Sequence, residues 1–314
     1  MSTCSALPGG GFRVARPDGF RLDAVKHLPL DFWAKFNGSF DLILLGELLD
    51  GDPGVVSRAW REGHFTSMFD FPLGFAIADV FCRGESPSRL AAVLTNDRRY
   101  PDASALVTLV DNHDLPRIMS QCGGDVEKVK QALAFLLTMR GTPSIIWGTE
   151  VGFEGAKEPD NRESMRFVEH PLRAHITKWM KLRAASPSLS SGRAVPVEVT
   201  KGRVVIARVA PDGSTVNVKI EAGKVTFEGA PSLALPSGTR RVTFSGTGSI
   251  VGSGAELGDW DKKNAKPLPL TVDLPLNGVF EFKRLIEGEW EAGANRLLFV
   301  TQDVELKMTE AQSR

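Results

Sequence analysis

Five short apolar runs, separated by longer segments with helical periodicity, dominate the first part of the chain. Apolar runs of about four to eight residues between turn signals are typical of strands that are buried in a parallel sheet. The predicted strands are centred near residues 20, 43, 67, 108 and 145. This alternation of strands and helices predicts an α/β unit over residues 1–185.

The segments between these runs predict amphipathic helices. The clearest helix spans residues 125–139, where Asp125 can cap the N-terminus. Its apolar positions recur at helical spacing and predict core packing, and they are Val126, Val129, Leu133, Leu136 and Leu137. Other helices are predicted over residues 28–40, 54–62, 73–95 and 171–185.

The number of predicted strands is too small for a closed barrel. A (β/α) barrel has eight strands and typically about 250 residues. We therefore expect a partial barrel of about five strands, whose open sides would expose sheet edges. Three explanations remain open: a half-barrel with covered edges, a homo-oligomer in which a second chain covers them, or a truncated gene product.

A second pattern begins after Ser186, where short alternating strands and Gly turns replace the helices. Residues 203–209 and 215–220 flank Pro211-Asp212-Gly213, which is a hairpin signal. The pattern predicts a small antiparallel β-domain over residues 186–237.

Composition narrows the classes of partner. Apolar residues make up 42% and charged residues 24% of the 314 positions, as in ordinary soluble proteins. The 38 basic and 38 acidic residues balance, so we expect neither nucleic acid nor an anionic membrane as partner. No apolar run approaches the ~20 residues of a spanning helix. Residues 1–11 lack the features of a signal peptide, and the compartment stays unknown.

The number and spacing of the cysteines do not indicate a disulfide framework. Cys4, Cys82 and Cys122 are odd in number and widely spaced, which suggests neither paired disulfides nor a zinc site. We expect them to be free thiols.

Acidic side chains follow three of the predicted strands. Asp23, Glu47 and Asp114 each come at or just after the C-terminal end of an apolar run, the edge where parallel sheets place their chemistry. Arg21 lies two residues before Asp23 and would keep its carboxylate ionised. Three convergent carboxylates suit glycoside hydrolysis. A salt bridge between Arg21 and Asp23 with no catalytic role is the alternative interpretation.

The same stretches resemble three conserved blocks of the α-amylase family, glycoside hydrolase family 13. They are GFRLDAVKH at residues 19–27, LGE at 45–47 and VDNHD at 110–114, and their order matches as well as their residue types. The resemblance implies retaining hydrolysis of α-1,4-glucosidic bonds in starch and related glucans. It implies Asp23 as nucleophile, Glu47 as general acid/base and Asp114 as transition-state stabiliser. Arg21 would orient the nucleophile, and sugar hydroxyls would be bound by Lys26, His27 and His113.

The family's first conserved block has no counterpart in this chain. In the family the nucleophile lies on the fourth barrel strand, whereas here the corresponding strand is near residue 20. Two alternatives therefore stay open. Beside hydrolysis, the chain could be a catalytically impaired starch-binding protein, or a cyclodextrin-forming, transglycosylating relative.

The last unit, residues 238–314, resembles the starch-binding module of carbohydrate-binding family 20, which implies a β-sandwich. The match rests on Leu-Gly-Asp-Trp at 257–260 and on Trp-Glu and Asn-Arg at 290–291 and 295–296. It implies a stacking platform of Trp260 and Trp290. It also implies hydroxyl binding by Lys283, Glu291 and Asn295. The alternative is that both Trp side chains pack under loops.

Calcium is the one cofactor that the resemblance suggests. The backbone oxygen of His27 would be a ligand, but the matching side-chain ligands are missing. We expect weak binding or none, and we expect the loop acids to be solvated: Asp50, Asp52, Asp160 and Glu163.

Overall fold

Five parallel strands form the sheet of the first unit. The computed structural model describes residues 17–230, 238–293 and 295–308. The strands pair in sequence order, and they are β1 Gly19–Leu22, β2 Ile43–Gly46, β3 Ser67–Asp70, β4 Val107–Thr108 and β5 Thr142–Pro143. An open parallel sheet with helices between its strands fits the predicted partial α/β barrel. Since all pairs are parallel, the C-terminal ends of the strands share one edge.

The fifth strand is shorter and lies earlier than predicted. We expected a strand over residues 144–150, but β5 ends at Pro143. The chain instead turns at Gly148, where φ is 87°. A 3₁₀ turn follows at Thr149–Val151. Ile145 of this run contacts the main core from outside the sheet, whereas Trp147 is exposed.

Helices follow the strands of the sheet and close the first unit. They are α1 Leu30–Asn37, α2 Pro53–Gly63, α3 Phe71–Phe81, α4 Ser88–Thr95, α5 Ile118–Gln121, α6 Val126–Thr138, α7 Pro171–Ala185 and α8 Pro187–Ser191. The cap of α6 is as predicted, because Asp125 accepts hydrogen bonds from the backbone N–H of Glu127 at 2.9 Å and Lys128 at 3.1 Å. The helix predicted over 73–95 is divided into α3 and α4. Gly84, at φ 77°, lies in the break between them.

A disulfide joins Cys82 to Cys122, with their Cα atoms 4.2 Å apart. The prediction of free thiols is therefore wrong for these two residues, and Cys4 lies outside the described residues. Cys82 follows α3 and Cys122 follows α5, and both are buried in the main core. Two helix ends that meet in the core bring together cysteines that are 40 positions apart in the sequence.

The second unit is a four-stranded antiparallel sheet in sequence order, made of β6 Arg193–Val199, β7 Arg203–Val209, β8 Thr215–Glu221 and β9 Lys224–Ala230. The predicted hairpin is confirmed as β7 and β8, which pair from Arg203 with Glu221 to Val209 with Thr215. Arg208 is fully buried and donates hydrogen bonds to the carbonyls of Thr138, Leu189 and Gly192. These bonds fix the sheet against the C-terminal end of α6.

The third unit consists of two sheets around a common core. Its strands are β10 Thr239–Gly246, β11 Ser249–Gly252, β12 Lys266–Pro267, β13 Leu270–Pro275, β14 Val279–Ile286, β15 Glu289–Trp290, β16 Arg296–Phe299 and β17 Val304–Met308. One sheet has the order β13-β10-β17, and the other contains β12, β11, β14, β15 and β16. Phe244 from the first sheet packs edge-on to Phe282 from the second, at 5.1 Å between centroids.

The third unit is held directly against the first. The backbone N–H of Val279 donates to Thr95 Oγ1 at 2.7 Å. Arg98 makes two hydrogen bonds with Glu256, at 2.8 and 3.0 Å. None of the helices within the described ranges combines the length and the apolarity needed to cross a membrane.

Candidate active site

The ends of β1 and β2 bring Asp23 and Glu47 together. The backbone N–H of Glu47 donates to the carbonyl of Leu22 at 2.8 Å, and that of Val25 donates to the carbonyl of Glu47 at 2.9 Å. These bonds continue the strand pairing beyond both strand ends. Ala24, at φ 49°, then turns the chain away from the sheet. The two acidic side chains therefore lie at the same edge.

Arg21 bridges the two carboxyl groups. Its Nη1 pairs with Asp23 Oδ1, and its Nη2 pairs with Glu47 Oε1. The Asp23 side chain is 69% exposed, whereas the Glu47 side chain is 9% exposed. The two carboxyl groups thus pair with the same guanidinium but differ strongly in solvent exposure.

This difference separates their pKa values. Burial raises the pKa of Glu47, and its hydrogen bond with Asp23 raises it further. The same hydrogen bond lowers the pKa of Asp23, and the charge of Arg21 lowers it further. Glu47 is therefore disposed to hold a proton and Asp23 to stay ionised. A carboxyl pair divided in this way is the arrangement that assigns an acid and a nucleophile.

A hydrogen bond between Asp23 and Glu47 contributes to the shift of both pKa values. Retaining glycosidases typically hold the two carboxyl groups about 5–5.5 Å apart, with the sugar between them. Without a sugar between them, a protonated Glu47 can donate directly to the ionised Asp23. A substrate must therefore replace this hydrogen bond when it enters.

Asp114 lies beside His113 in the loop that follows β4. Asn112 Oδ1 accepts from the backbone N–H of Asp114 at 2.9 Å, which forms a tight turn after β4. His113 Nε2 lies 3.2 Å from Asp114 Oδ2. After the hydrogen bond from Glu47 and the charge of Arg21, the charge of His113 also lowers the pKa of Asp23. His113 therefore lies within electrostatic range of both aspartates.

Arg162 is a further site residue, beyond those predicted from the sequence. Its Nη2 lies 2.9 Å from Asp114 Oδ1, and its Nε donates to the carbonyl of His113 at 3.0 Å. Arg162 thus holds both residues of the turn in place. The only sequence signal was its place in the segment Pro-Asp-Asn-Arg at residues 159–162, which is similar to the family.

The other predicted sugar-binding groups of this edge lie just beyond Asp23. Lys26 and His27 are exposed in the 3₁₀ turn Val25–His27. Lys26 Nζ pairs with Asp50 Oδ2 at 2.9 Å and donates to the carbonyl of Leu49 at 3.0 Å. The ammonium group is thereby held beside the loop that follows Glu47.

The described residues do not fit a calcium site. Among them, no group of three or more His, Cys, Asp or Glu side chains is placed to hold a metal ion. Asp50 is paired with Lys26, and Asp52 Oδ1 accepts the N–H of Gly54 at 2.7 Å as the N-cap of α2. We therefore assign no catalytic step to a metal.

A pair of tryptophans forms the second candidate site, in the third unit. The ring centroids of Trp260 and Trp290 lie 6.3 Å apart, with 51° between the planes. Trp290 is 38% exposed, so it does not pack under the loops. Lys283 Nζ donates to the carbonyl of Gly293, in the loop that follows Trp290, at 2.6 Å. Asn295 is exposed.

Glu291 is turned inward, although the resemblance implied a contact with sugar. Its side chain is 5% exposed. Its oxygens accept from the backbone N–H of Arg284 at 2.9 Å and from Arg296 Nη2 at 2.8 Å. In this position Glu291 holds the loop that follows Trp290, and its carboxylate is occupied by protein donors.

The similarity of this chain to known proteins is strongest over its first part. Residues 14–178 match the profile described as alpha amylase, catalytic domain. The chain is 36% identical over 183 residues to a beta/alpha-amylase of Paenibacillus polymyxa, covering 56% of this chain and 15% of that relative. It is 29% identical over 293 residues to an alpha-amylase of Streptomyces lividans, covering 76% of this chain and 31% of that relative.

A solved structure described as an Anoxybacillus alpha-amylase has a similar fold. Its TM-score is 0.64 at 24% sequence identity, and the match covers 94% of this chain and 59% of that chain. At this identity the likeness concerns the fold alone. The chain thus spans between 15% and 31% of the length of the two curated relatives.

Proposed function

Because residues 14–178, more than half of its length, match the alpha-amylase catalytic domain, the chain belongs to the alpha-amylase family, and we propose that it hydrolyses α-1,4-glucosidic bonds in starch and related glucans with retention. The observation that carries this proposal is the divided pair of carboxyl groups. Glu47 is buried with a raised pKa and hydrogen-bonds to Asp23, which is exposed with a lowered pKa.

The proposed reaction has two steps. Asp23 attacks the anomeric carbon while Glu47 gives its proton to the leaving glycosidic oxygen. Glu47 then takes a proton from water, whose oxygen attacks the same carbon and releases Asp23. Asp114 stabilises the positive charge on the sugar ring in both transition states. Arg21 keeps Asp23 ionised, and Lys26, His27 and His113 bind sugar hydroxyls.

The protonation states that this reaction needs predict a bell-shaped pH dependence of kcat/KM. Activity should fall as pH rises through the raised pKa of Glu47 and as pH falls through the lowered pKa of Asp23. The charge of Arg21 lowers both pKa values. Arg21→Gln should therefore shift both limbs to higher pH. The measurement is the initial rate on soluble starch over the full pH range.

Arg240→Gln is the matched control, since Arg240 lies in the third unit and donates to the neighbouring Thr239 carbonyl. Its profile should coincide with that of the parent protein. If Arg21→Gln also leaves both limbs in place, Arg21 does not act on the two acids.

We further propose that residues 238–314 form a starch-binding β-sandwich module of carbohydrate-binding family 20, following domains at 1–185 and 186–237. The shared core of its two sheets supports this assignment. Trp260 and Trp290 provide faces for stacking on glucose rings, and Lys283 and Asn295 bind hydroxyls. Glu291 contributes by fixing the loop that carries Asn295.

Loss of both tryptophans should remove binding to granular starch. Stacking side chains in a binding site commonly contribute about 2 kcal/mol each. Trp260→Ala with Trp290→Ala should therefore weaken the affinity for starch about thirtyfold if one ring binds and about 10³-fold if both do. The measurement is the bound fraction after sedimentation with starch granules. Phe227→Ala is the control, because Phe227 is equally exposed at 38% and lies in the second unit. If the double variant is retained like the parent protein, residues 238–314 do not bind starch through these tryptophans.

A second candidate is starch binding without turnover. The hydrogen bond between Asp23 and Glu47 favours it, because a sugar must break this bond before either group can react. A reducing-sugar assay beside the sedimentation experiment distinguishes the two candidates. Retention with no released sugar would support the second.

A further inference from the structure

A cleft of about 330 Å³ lies between the first and third units. The first unit contributes Asp52, from the loop after β2, together with Phe75 of α3 and Val93 of α4. The third unit contributes Trp260 and Glu281. A volume of this size is within the range of small-molecule binding sites.

The orientation of β14 places the Glu281 side chain towards the cleft. Phe280 and Phe282 pack in the core between the two sheets of the third unit. Since side chains alternate along a strand, Val279 and Glu281 face the opposite side. Val279 confirms this direction, because it packs in the core of the first unit.

The groups that line the cleft suit a neutral, polyhydroxylated ligand. Phe75 and Trp260 offer aromatic faces. In the described ranges, no hydrogen bond or ion pair involves the Glu281 carboxylate, so both oxygens can accept from hydroxyl groups. Arg89 also lines the cleft, but its charge is balanced by Asp79 at 2.5 Å and Glu85 at 3.2 Å. Aromatic faces with a few hydrogen-bonding groups are what sugar rings require.

The cleft is continuous with the tryptophan pair. Trp260 lines the cleft and also contacts Trp290, which lies on the outer surface. The residue before it, Asp259, makes two hydrogen bonds with Arg99 of the first unit, at 2.5 and 2.9 Å. This pairing fixes the loop of Trp260 against the first unit, so a ligand meets both walls already in place.

We propose that this cleft binds a short segment of an α-glucan, as a subsite that extends the Trp260–Trp290 platform towards the first unit. The inference rests on the proposed starch-binding function and adds a second location for the sugar. Glu281 accepts hydroxyl hydrogen bonds there, and Phe75 provides an apolar wall. The loop that ends at Asp52 begins just after Glu47, so the subsite lies beside the segment that carries the proposed acid.

Calorimetric titration with maltotriose and with β-cyclodextrin tests this proposal. Both are titrated into the full chain carrying Asp23→Asn, so that neither is hydrolysed. Val93→Phe fills the cleft without removing a polar group, and Trp290→Ala removes the outer ring. Val93→Phe should bind one maltotriose fewer than its parent. Its affinity for β-cyclodextrin, a ring too wide for the cleft, should stay within about twofold.

Glu281→Gln, which preserves the shape of the cleft, should weaken maltotriose binding at one site about tenfold. Trp290→Ala should lose β-cyclodextrin and keep the cleft site. Thermal unfolding of each variant confirms that it is folded. If both Val93→Phe and Glu281→Gln bind maltotriose like the parent, the cleft is not a subsite. If neither the parent nor any variant binds either ligand, the proposed starch-binding function itself is wrong.

Discussion

Glu47→Gln should lower kcat on soluble starch by about 10²–10⁴-fold, the usual contribution of a general acid. Glutamine keeps the size of the side chain but cannot give a proton to the leaving oxygen. Asp23→Asn should lower kcat at least as much, because no covalent intermediate can form. The measurement is the steady-state release of reducing ends.

The leaving group distinguishes the two roles. In a 4-nitrophenyl maltoside the leaving group is 4-nitrophenolate, a stable anion that needs little help from an acid. Glu47→Gln should therefore lose much less activity on this substrate than on starch, whereas Asp23→Asn should lose activity on both. Glu62→Gln, an exposed position on α2, serves as the control and should be unchanged. Equal losses on both substrates for Glu47→Gln would contradict its role as the acid.

The second large effect concerns stability. Arg140 is 2% exposed and pairs with Asp70, which is fully buried, and with Asp97 at 2.5 Å. Asp70 also caps α3, since it accepts from the N–H of Leu73 at 3.1 Å. Arg140→Met should cost about 3–5 kcal/mol of unfolding free energy, because it leaves buried carboxylates without a cation. Urea titration followed by circular dichroism measures this loss.

Two further variants test the reason for that loss. Removing all three charges, with Arg140→Met, Asp70→Asn and Asp97→Asn together, should recover part of the stability. The exposed pair of Arg173 and Glu169, at 3.6 Å, is the control. Arg173→Met should cost less than about 1 kcal/mol. A loss for Arg140→Met that is no larger than the control would show that the buried network does not stabilise the fold.

The fold of the first unit could be predicted because its strands are local features. Each buried run, such as residues 43–46, is bounded by turn residues and needs no distant partner to be recognised. The fifth strand was misplaced for the same reason. Within the run at 144–150, Ile145 packs on the core without joining the sheet, and periodicity alone does not separate core contact from sheet pairing. The Cys82–Cys122 disulfide depends on two helix ends meeting, which spacing does not encode.

The candidate site, like the fold, could be predicted only in part. Asp23 and Glu47 could be placed at one edge because parallel strands align their ends. Their direct hydrogen bond and the contact of Arg162 with Asp114 depend on side-chain positions across different loops. For Glu291 the motif match implied a contact with sugar, whereas its carboxylate is bonded to Arg284 and Arg296 and holds a loop.

Trapping the covalent intermediate tests the proposed reaction most directly. A fluorinated glucosyl donor with an activated leaving group forms the glycosyl-enzyme but slows its hydrolysis. Mass spectrometry of the full chain, followed by peptide mapping, should find one glycosyl group per chain on Asp23. Turnover of starch with no such adduct, or an adduct on another residue, would contradict the assignment of Asp23 as the nucleophile.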